Sequence, residues 1–187
     1  SVNNVSFSTD GKIIASASSD NTVKLWDIAT GKNKTLKGHS RWVSSISFSL
    51  DGKTIASASG DKTIKLWDLT TGKEIKTFKG HFSSVTNISF STDGKTIASS
   101  GDKAVKLWDI TTGREITTLN GHSAIVNSVN FSPDGKTIAS ASSDGKVILW
   151  NFDLENLLSE GCNLLSNYLQ NNPNVTGRDK QVCDNIK

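Results

Sequence analysis

The chain has 187 residues, a formal net charge of +3 and a mean hydropathy of −0.32. Its lysines are spread along the chain rather than clustered, so the electrostatic footprint of a nucleic-acid binder is missing, and no apolar run reaches the length of a membrane span. Both cysteines, Cys162 and Cys183, lie near the C-terminus; the reading is of reduced thiols and a cytoplasmic setting, with no nucleic-acid or membrane partner.

A Gly-His pair followed 27 or 28 residues later by a Trp recurs along the chain: His39 leads to Trp67, His81 to Trp108 and His122 to Trp150. Trp26 ends an earlier copy that starts too late to include its His. The period of 41 or 42 residues also links Phe7, Phe48, Phe90 and Phe131. A repeat of this length marks one supersecondary unit copied into a propeller or solenoid. The truncated first copy, with no initiator Met, leads to the expectation that this is the end of a longer polypeptide.

The second copy shows the unit most fully. A run through Val43, Ile46 and Phe48 ends at Asp51-Gly52, a hairpin turn signal. Thr54 to Ser59 forms a second run, Gly60-Asp61-Lys62 turns the chain into Thr63 to Trp67, and Thr71-Gly72-Lys73 turns it again into Glu74 to Lys79. The pattern predicts a four-stranded antiparallel meander, since β-branched residues fill the runs and Gly, Asp and Thr fill the turns. In its third run Ile64 and Leu66 share one face while Lys65 and Trp67 share the other, so both faces carry apolar surface. One sheet alone cannot bury both. Stacking successive sheets face to face does, with each Trp removing about 150–250 Å² from water.

The third copy has one residue fewer between Phe90 and Trp108, which predicts a tighter turn at Ser100-Gly101. The fourth has no fourth run after Trp150. Beyond it, Leu154, Leu157, Leu158, Cys162, Leu165 and Leu169 fall on one helical stripe, predicting a helix from about 153 to 170 that Asn172-Pro173 ends. Thr176 with Asp179 resembles a capping signal for a second short helix bearing Val182, Cys183 and Ile186.

Trp26-Asp27, Trp67-Asp68 and Trp108-Asp109, together with the Gly-His pairs and Asp-Gly turns, make these repeats resemble WD40 repeats; Trp150-Asn151 departs at its second position. The resemblance implies an all-β protein, a WD40-type β-propeller of about four four-stranded antiparallel blades over residues 1–152, with a short α-helical tail over 153–187. It implies a hydrogen-bonded tetrad in each blade: His39, Ser57, Asp61 and Trp67; His81, Ser99, Asp102 and Trp108; His122, Ser140, Asp144 and Trp150. Ser16, Asp20 and Trp26 remain of the first. Trp donates only, Ser and neutral His do both, and Asp accepts, so a complete relay leaves no member unpaired. The tail is similar to that of long bacterial WD40 proteins, many of which carry an NTPase or kinase domain upstream. The missing strand is expected before Ser1, the ring being closed by upstream repeats or by a second copy.

Ser, His and Asp together also invite a hydrolase reading. Near-identical copies, each with its own Trp, argue for packing, and no Gly-x-Ser-x-Gly elbow presents a serine. Gly-Lys-Thr at 52–54, 94–96 and 135–137 lacks the upstream glycine of a phosphate loop, having Ser47, Ser89 and Asn130 instead. No metal and no cofactor is predicted, and no enzyme. By the resemblance, proteins or peptides bind the face formed by the loop before each first strand and the turn before each tetrad Asp. The matching positions are Asn3, Trp42, Ser44, Ser84, Thr86, Ile125 and Asn127, with Ser19, Gly60, Gly101 and Ser143 before the aspartates. Trp42 is the one Trp outside the period, and aromatic anchors dominate interfaces. Trp42 and Ile125, with Arg41 as a rim charge, lead the candidates. The expected function is a non-catalytic interaction scaffold, a docking or sensor domain of a bacterial signalling protein; the alternative is the regulatory end of an NTPase or kinase.

Overall fold

A computed structural model describes residues 1–153; the expected helices beyond that point and both cysteines lie outside the described residues. One compact unit runs from Ser1 to Leu149. The first antiparallel sheet is β1 (Val2–Phe7), β2 (Ile13–Ser18), β3 (Thr22–Asp27) and β4 (Asn33–Lys37), in that order. The second is β5 (Val43–Phe48), β6 (Thr54–Ser59), β7 (Thr63–Asp68) and β8 (Glu74–Lys79). The third is β9 (Val85–Phe90), β10 (Thr96–Gly101), β11 (Ala104–Asp109) and β12 (Glu115–Asn120). The fourth has three strands: β13 (Val126–Phe131), β14 (Thr137–Ser142) and β15 (Val147–Asn151). This is the blade pattern of a WD40 propeller, with no helix among the described residues.

Two kinds of polar turn space the strands. At the first, Ser49 Oγ donates to Asp51 Oδ1 at 2.6 Å while that oxygen accepts the Lys53 N–H at 3.0 Å and Ser49 Oγ accepts the Thr54 N–H at 3.0 Å. Gly52 takes φ +67°, the left-handed region that favours glycine. Ser8–Asp10, Ser91–Asp93 and Ser132–Asp134 repeat the Ser-to-Asp bond, so the Gly-Lys-Thr segments are hairpin connections. At the second, the Asp after each Trp closes its own turn: Asp68 Oδ1 accepts both the N–H and the O–H of Thr71, at 2.7 and 2.9 Å. Asp27–Thr30 and Asp109–Thr112 do the same.

Burial follows the two-sided pattern of the strands. Ala15, Ala17, Val23, Leu25 and Leu36 of the first sheet form one cluster with Val43, Ile46, Phe48, Ile55 and Trp67 of the second. Ala56, Ala58, Ile64, Leu66 and Phe78 meet Val85, Ile88, Ile97 and Trp108 in the same way. Each sheet thus has a back of small and branched residues and a front that carries the indole. Hydrogen bonds between sheets accompany the apolar contact. Asn3 Nδ2 donates to the Val43 carbonyl at 2.8 Å, Ser44 Oγ to that of Val85 at 2.6 Å and Thr86 Oγ1 to that of Val126 at 2.6 Å. On the outer strands Lys34 Nζ donates to the Thr70 carbonyl at 2.9 Å, and Lys76 Nζ donates to those of Ile110 and Thr111 in the next sheet.

Candidate functional site

The Gly-His segment brings each imidazole against the middle of its own sheet, where it joins the Ser of the second strand and the turn Asp. In the second sheet Trp67 Nε1 donates to Ser57 Oγ at 2.8 Å, Ser57 Oγ lies 2.7 Å from His39 Nε2, and His39 Nδ1 lies 2.8 Å from Asp61 Oδ2. Indole N–H can only donate and a carboxylate only accept, so Ser57 accepts from Trp67 and His39 Nδ1 carries the proton given to Asp61. Burial of the imidazole favours the neutral ring, whose Nε2 then accepts the Ser57 O–H. Burial, the largest influence, lowers its pKa from the ordinary value, against the raising effect of Asp61. Burial acts to raise the carboxyl of Asp61, but hydrogen bonds from Thr63, His39 and the Ser40 N–H outweigh it and lower the group to about 2.

The third sheet repeats the relay with a looser end. Trp108 Nε1 and His81 Nε2 each lie 2.7 Å from Ser99 Oγ, but His81 Nδ1 is 3.4 Å from Asp102 Oδ2. The turn is shorter here: Gly101 pairs with Ala104, leaving two residues between strands, and Asp102 itself takes a positive φ of 38°. In the first two sheets the residue after the Asp, Asn21 or Lys62, takes that conformation, and a following threonine hydroxyl holds the carboxylate. Burial lowers the pKa of His81 too.

In the fourth sheet His122 Nε2 lies 2.9 Å from Ser140 Oγ and Nδ1 lies 2.9 Å from Asp144 Oδ2, while Trp150 stands half-buried on β15. In the first, Trp26 Nε1 donates to Ser16 Oγ at 3.1 Å, and Asp20 is held by Thr22. A Ser–His–Asp chain of this geometry has the distances of a hydrolase triad, yet Ser57, Ser99 and Ser140 are buried and each histidine side chain is buried as well. An electrophile has no approach to hydroxyls sealed between sheets.

The relay nevertheless shapes a surface. The N–H of the residue after each His bonds the same carboxylate: Ser40 to Asp61 at 3.0 Å, Phe82 to Asp102 at 2.9 Å and Ser123 to Asp144 at 2.9 Å. The loops before β5, β9 and β13 are thereby tied to the turns at the same end of each sheet. Trp42 lies on Gly60 and remains partly exposed; Arg41, Ile125, Ser19 and Ser143 are exposed too. Asn3, Ser44 and Thr86 are engaged in the bonds between sheets described above, and Asn127 Nδ2 donates to Ser143 Oγ at 2.9 Å. Ser84 is half-buried, its carbonyl close against buried Gly101. Sequence reasoning missed Phe82, 84 % exposed in the loop next to His81 where the other copies have Ser40 and Ser123. Aligning the copies one residue after the histidine would have found it.

The family model of the WD domain, G-beta repeat, matches residues 1–27, 31–68, 72–109 and 113–151. An uncharacterised WD repeat-containing protein of Nostoc sp. is 50% identical over 46 residues. That stretch is 24% of this chain and 3% of the relative, so the comparison spans a small part of a much longer protein. Among the described residues no helix is long and apolar enough to cross a membrane.

Proposed function

This chain belongs to the WD40-repeat family, whose domains serve in general as protein-interaction scaffolds, and from that premise we propose that it binds a protein or peptide on the loop end of its sheets. The observation that carries the reading is the exposure of Trp42, Phe82 and Ile125 on three successive loops whose backbones are tied to half-buried carboxylates. Large apolar side chains on a pre-ordered frame bind with little loss of freedom, and aromatic groups are the usual anchors of such interfaces. Arg41 beside Trp42 adds a charge at the rim. The burial of every Ser–His pair favours holding over transforming. The proposed setting is a docking or sensor domain of a larger bacterial signalling protein; the likeness to the Nostoc protein supports a long WD repeat-containing protein and nothing about its role.

A displayed peptide library tests this. Peptides selected on the unaltered chain are expected to lose binding to Trp42→Ala and Phe82→Ser while both variants melt as the parent does. Selected peptides that bind both variants undiminished contradict the proposed surface.

A further inference from the structure

Between the second and third sheets, at the end of the strands opposite the Gly-His loops, lies an open cleft of about 520 Å³. Each of these sheets is bonded on its other side to a further sheet, through Asn3 to Val43 and through Thr86 to Val126, so the cleft is internal to the array. Two departures from the first junction accompany it. Ile13 packs against the cluster between the first and second sheets, whereas the same place in the second sheet holds Thr54, shorter and hydroxylated. Phe48 at the first junction is 8 % exposed, but its counterpart Phe90 is only half-buried and lines the cleft with Ile110. The other departure is in the turn. Thr9 and Thr92 lie against Gly52 and Gly135 of the next sheet, where an added Cβ would meet their hydroxyls. Leu50 holds that place in the second sheet, yet a Cβ at Gly94 would meet nothing within 4 Å, and Leu50 is 62 % exposed at the rim.

Two carboxylates face the same space, Asp51 from the second sheet and Asp93 from the third. In each, Oδ1 is occupied by a serine hydroxyl, Ser49 or Ser91, and by the N–H of Lys53 or Lys95. These bonds hold both carboxyls below the ordinary 3.8, so both are charged at neutral pH. Among the described residues no donor meets Oδ2 of either, and neither takes part in an ion pair. Lys53 and Lys95 adjoin the turns without lining the cleft.

We infer that this cleft takes an arginine or lysine side chain of an extended peptide, its stem against Phe90 and Ile110, its charged head on Asp51 and Asp93, and an apolar neighbour in the peptide on Leu50. An apolar wall beside two anionic oxygens with spare capacity matches a side chain built as a hydrocarbon stem with a cationic tip. Hydrogen bonds from that tip to a carboxylate are charge-assisted and short, and a guanidinium has donors enough for both. Leu50 distinguishes a peptide from a free amine, because a contact at the rim is reached only by a residue flanking the one inside. The site lies at the opposite end of the sheets from Trp42 and Phe82 and stands apart from the binding proposed there.

Titration of the full chain with acetyl-Leu-Arg-Leu-amide, followed by backbone amide NMR shifts, is the test. Saturable shifts are expected at Asp93 and Gly94, with a dissociation constant below about 1 mM. Acetyl-Leu-Gln-Leu-amide, which lacks the charge, is expected to bind about tenfold more weakly or worse. Thr54→Ile restores the side chain that Ile13 supplies at the first junction; it is expected to fold, to melt no lower than the parent and to weaken the arginine peptide about tenfold by filling the cleft. Asp93→Asn keeps an Oδ1 acceptor for Ser91 and Lys95 and is expected to weaken the peptide similarly; should that variant fail to fold, Thr54→Ile and the glutamine peptide still decide. Leu50→Ser is expected to weaken the peptide but not n-butylguanidinium, and Trp42→Ala to bind the peptide as the parent does. No saturable shift at millimolar peptide, equal binding of the glutamine peptide, undiminished binding to Thr54→Ile, or n-butylguanidinium binding as tightly as the peptide each overturn the inference.

Discussion

His81 Nδ1 and Asp102 Oδ2 stand 3.4 Å apart, while His39 and Asp61 make the same contact at 2.8 Å. The cause is one missing residue. With two residues between β10 and β11, Asp102 must occupy the left-handed conformation itself and has no threonine after it to hold its carboxylate. Both His39→Ala and His81→Ala remove the imidazole partner of a buried serine that the indole N–H still meets, a loss of about 1–3 kcal/mol. His39→Ala is expected to be the more destabilising, because it also breaks the shorter bond to Asp61. Thermal melting of the two variants checks the order; His81→Ala melting like the parent contradicts the structural role of the relay.

Two glycines of equivalent position should respond differently to a methyl group. At Gly60 an added Cβ meets the Trp42 ring at 2.5 Å, and at Gly101 it meets the Ser84 backbone carbonyl at 2.8 Å. A partly exposed indole can swing away; a strand-end carbonyl cannot. Gly60→Ala is expected to melt within about 1 kcal/mol of the parent while making Trp42 more accessible to a fluorescence quencher, and Gly101→Ala to lose about 1–3 kcal/mol through strain. Equal melting of the two would contradict this distinction.

Stability should fall on acidification in two windows. Asp61 has its pKa lowered to about 2 from an ordinary 3.8, so its contribution is present above 3.8 and is lost as pH falls toward 2. His39 and His81 are also lowered, from 6.5; below that value the unfolded chain takes up protons that the folded chain resists, and stability declines. Urea melts between pH 7 and 2 are expected to show both declines, and Asp61→Asn to flatten the lower one. A melting midpoint that rises as pH falls below 6.5 would contradict the sign.

The two kinds of tryptophan separate packing from surface. Trp67 is buried in the cluster between the first and second sheets, whereas Trp42 is a partly exposed loop residue. Trp67→Ala is expected to cost about 3–5 kcal/mol, the range for truncating a buried aromatic side chain. Trp42→Ala is expected to cost less than about 1 kcal/mol. Chemical denaturation measures both.

The blades were legible because their signals are local. A hairpin is announced by Asp-Gly, a strand by two-residue alternation, and the copying by Trp and Gly-His at a fixed interval. The shortened third turn was legible as a missing residue, but its consequence was not, since the shift of positive φ from the residue after the aspartate to Asp102 depends on strand register. The bonds that join sheets were hidden for a different reason. Ser44 finds its acceptor at Val85 and Lys34 finds Thr70, partners roughly one repeat away that no local pattern marks. The family resemblance implies that Asn3, Ser44 and Thr86 face a partner, whereas in the structure their side chains make these ties between sheets. Phe82 escaped because attention fell on the third and fifth residues after each histidine rather than the first.

The most direct test of the whole account is the ionisation and tautomer of the relay histidines, read from the 15N shifts of His39 and His81 across pH. A locked relay predicts neutral rings protonated at Nδ1 near pH 7, with protons slow to exchange and titration displaced below 6.5. Rings that exchange freely with water and titrate at 6.5 would place these histidines in open solvent and contradict the assignment of this chain's Ser–His–Asp sets to structure.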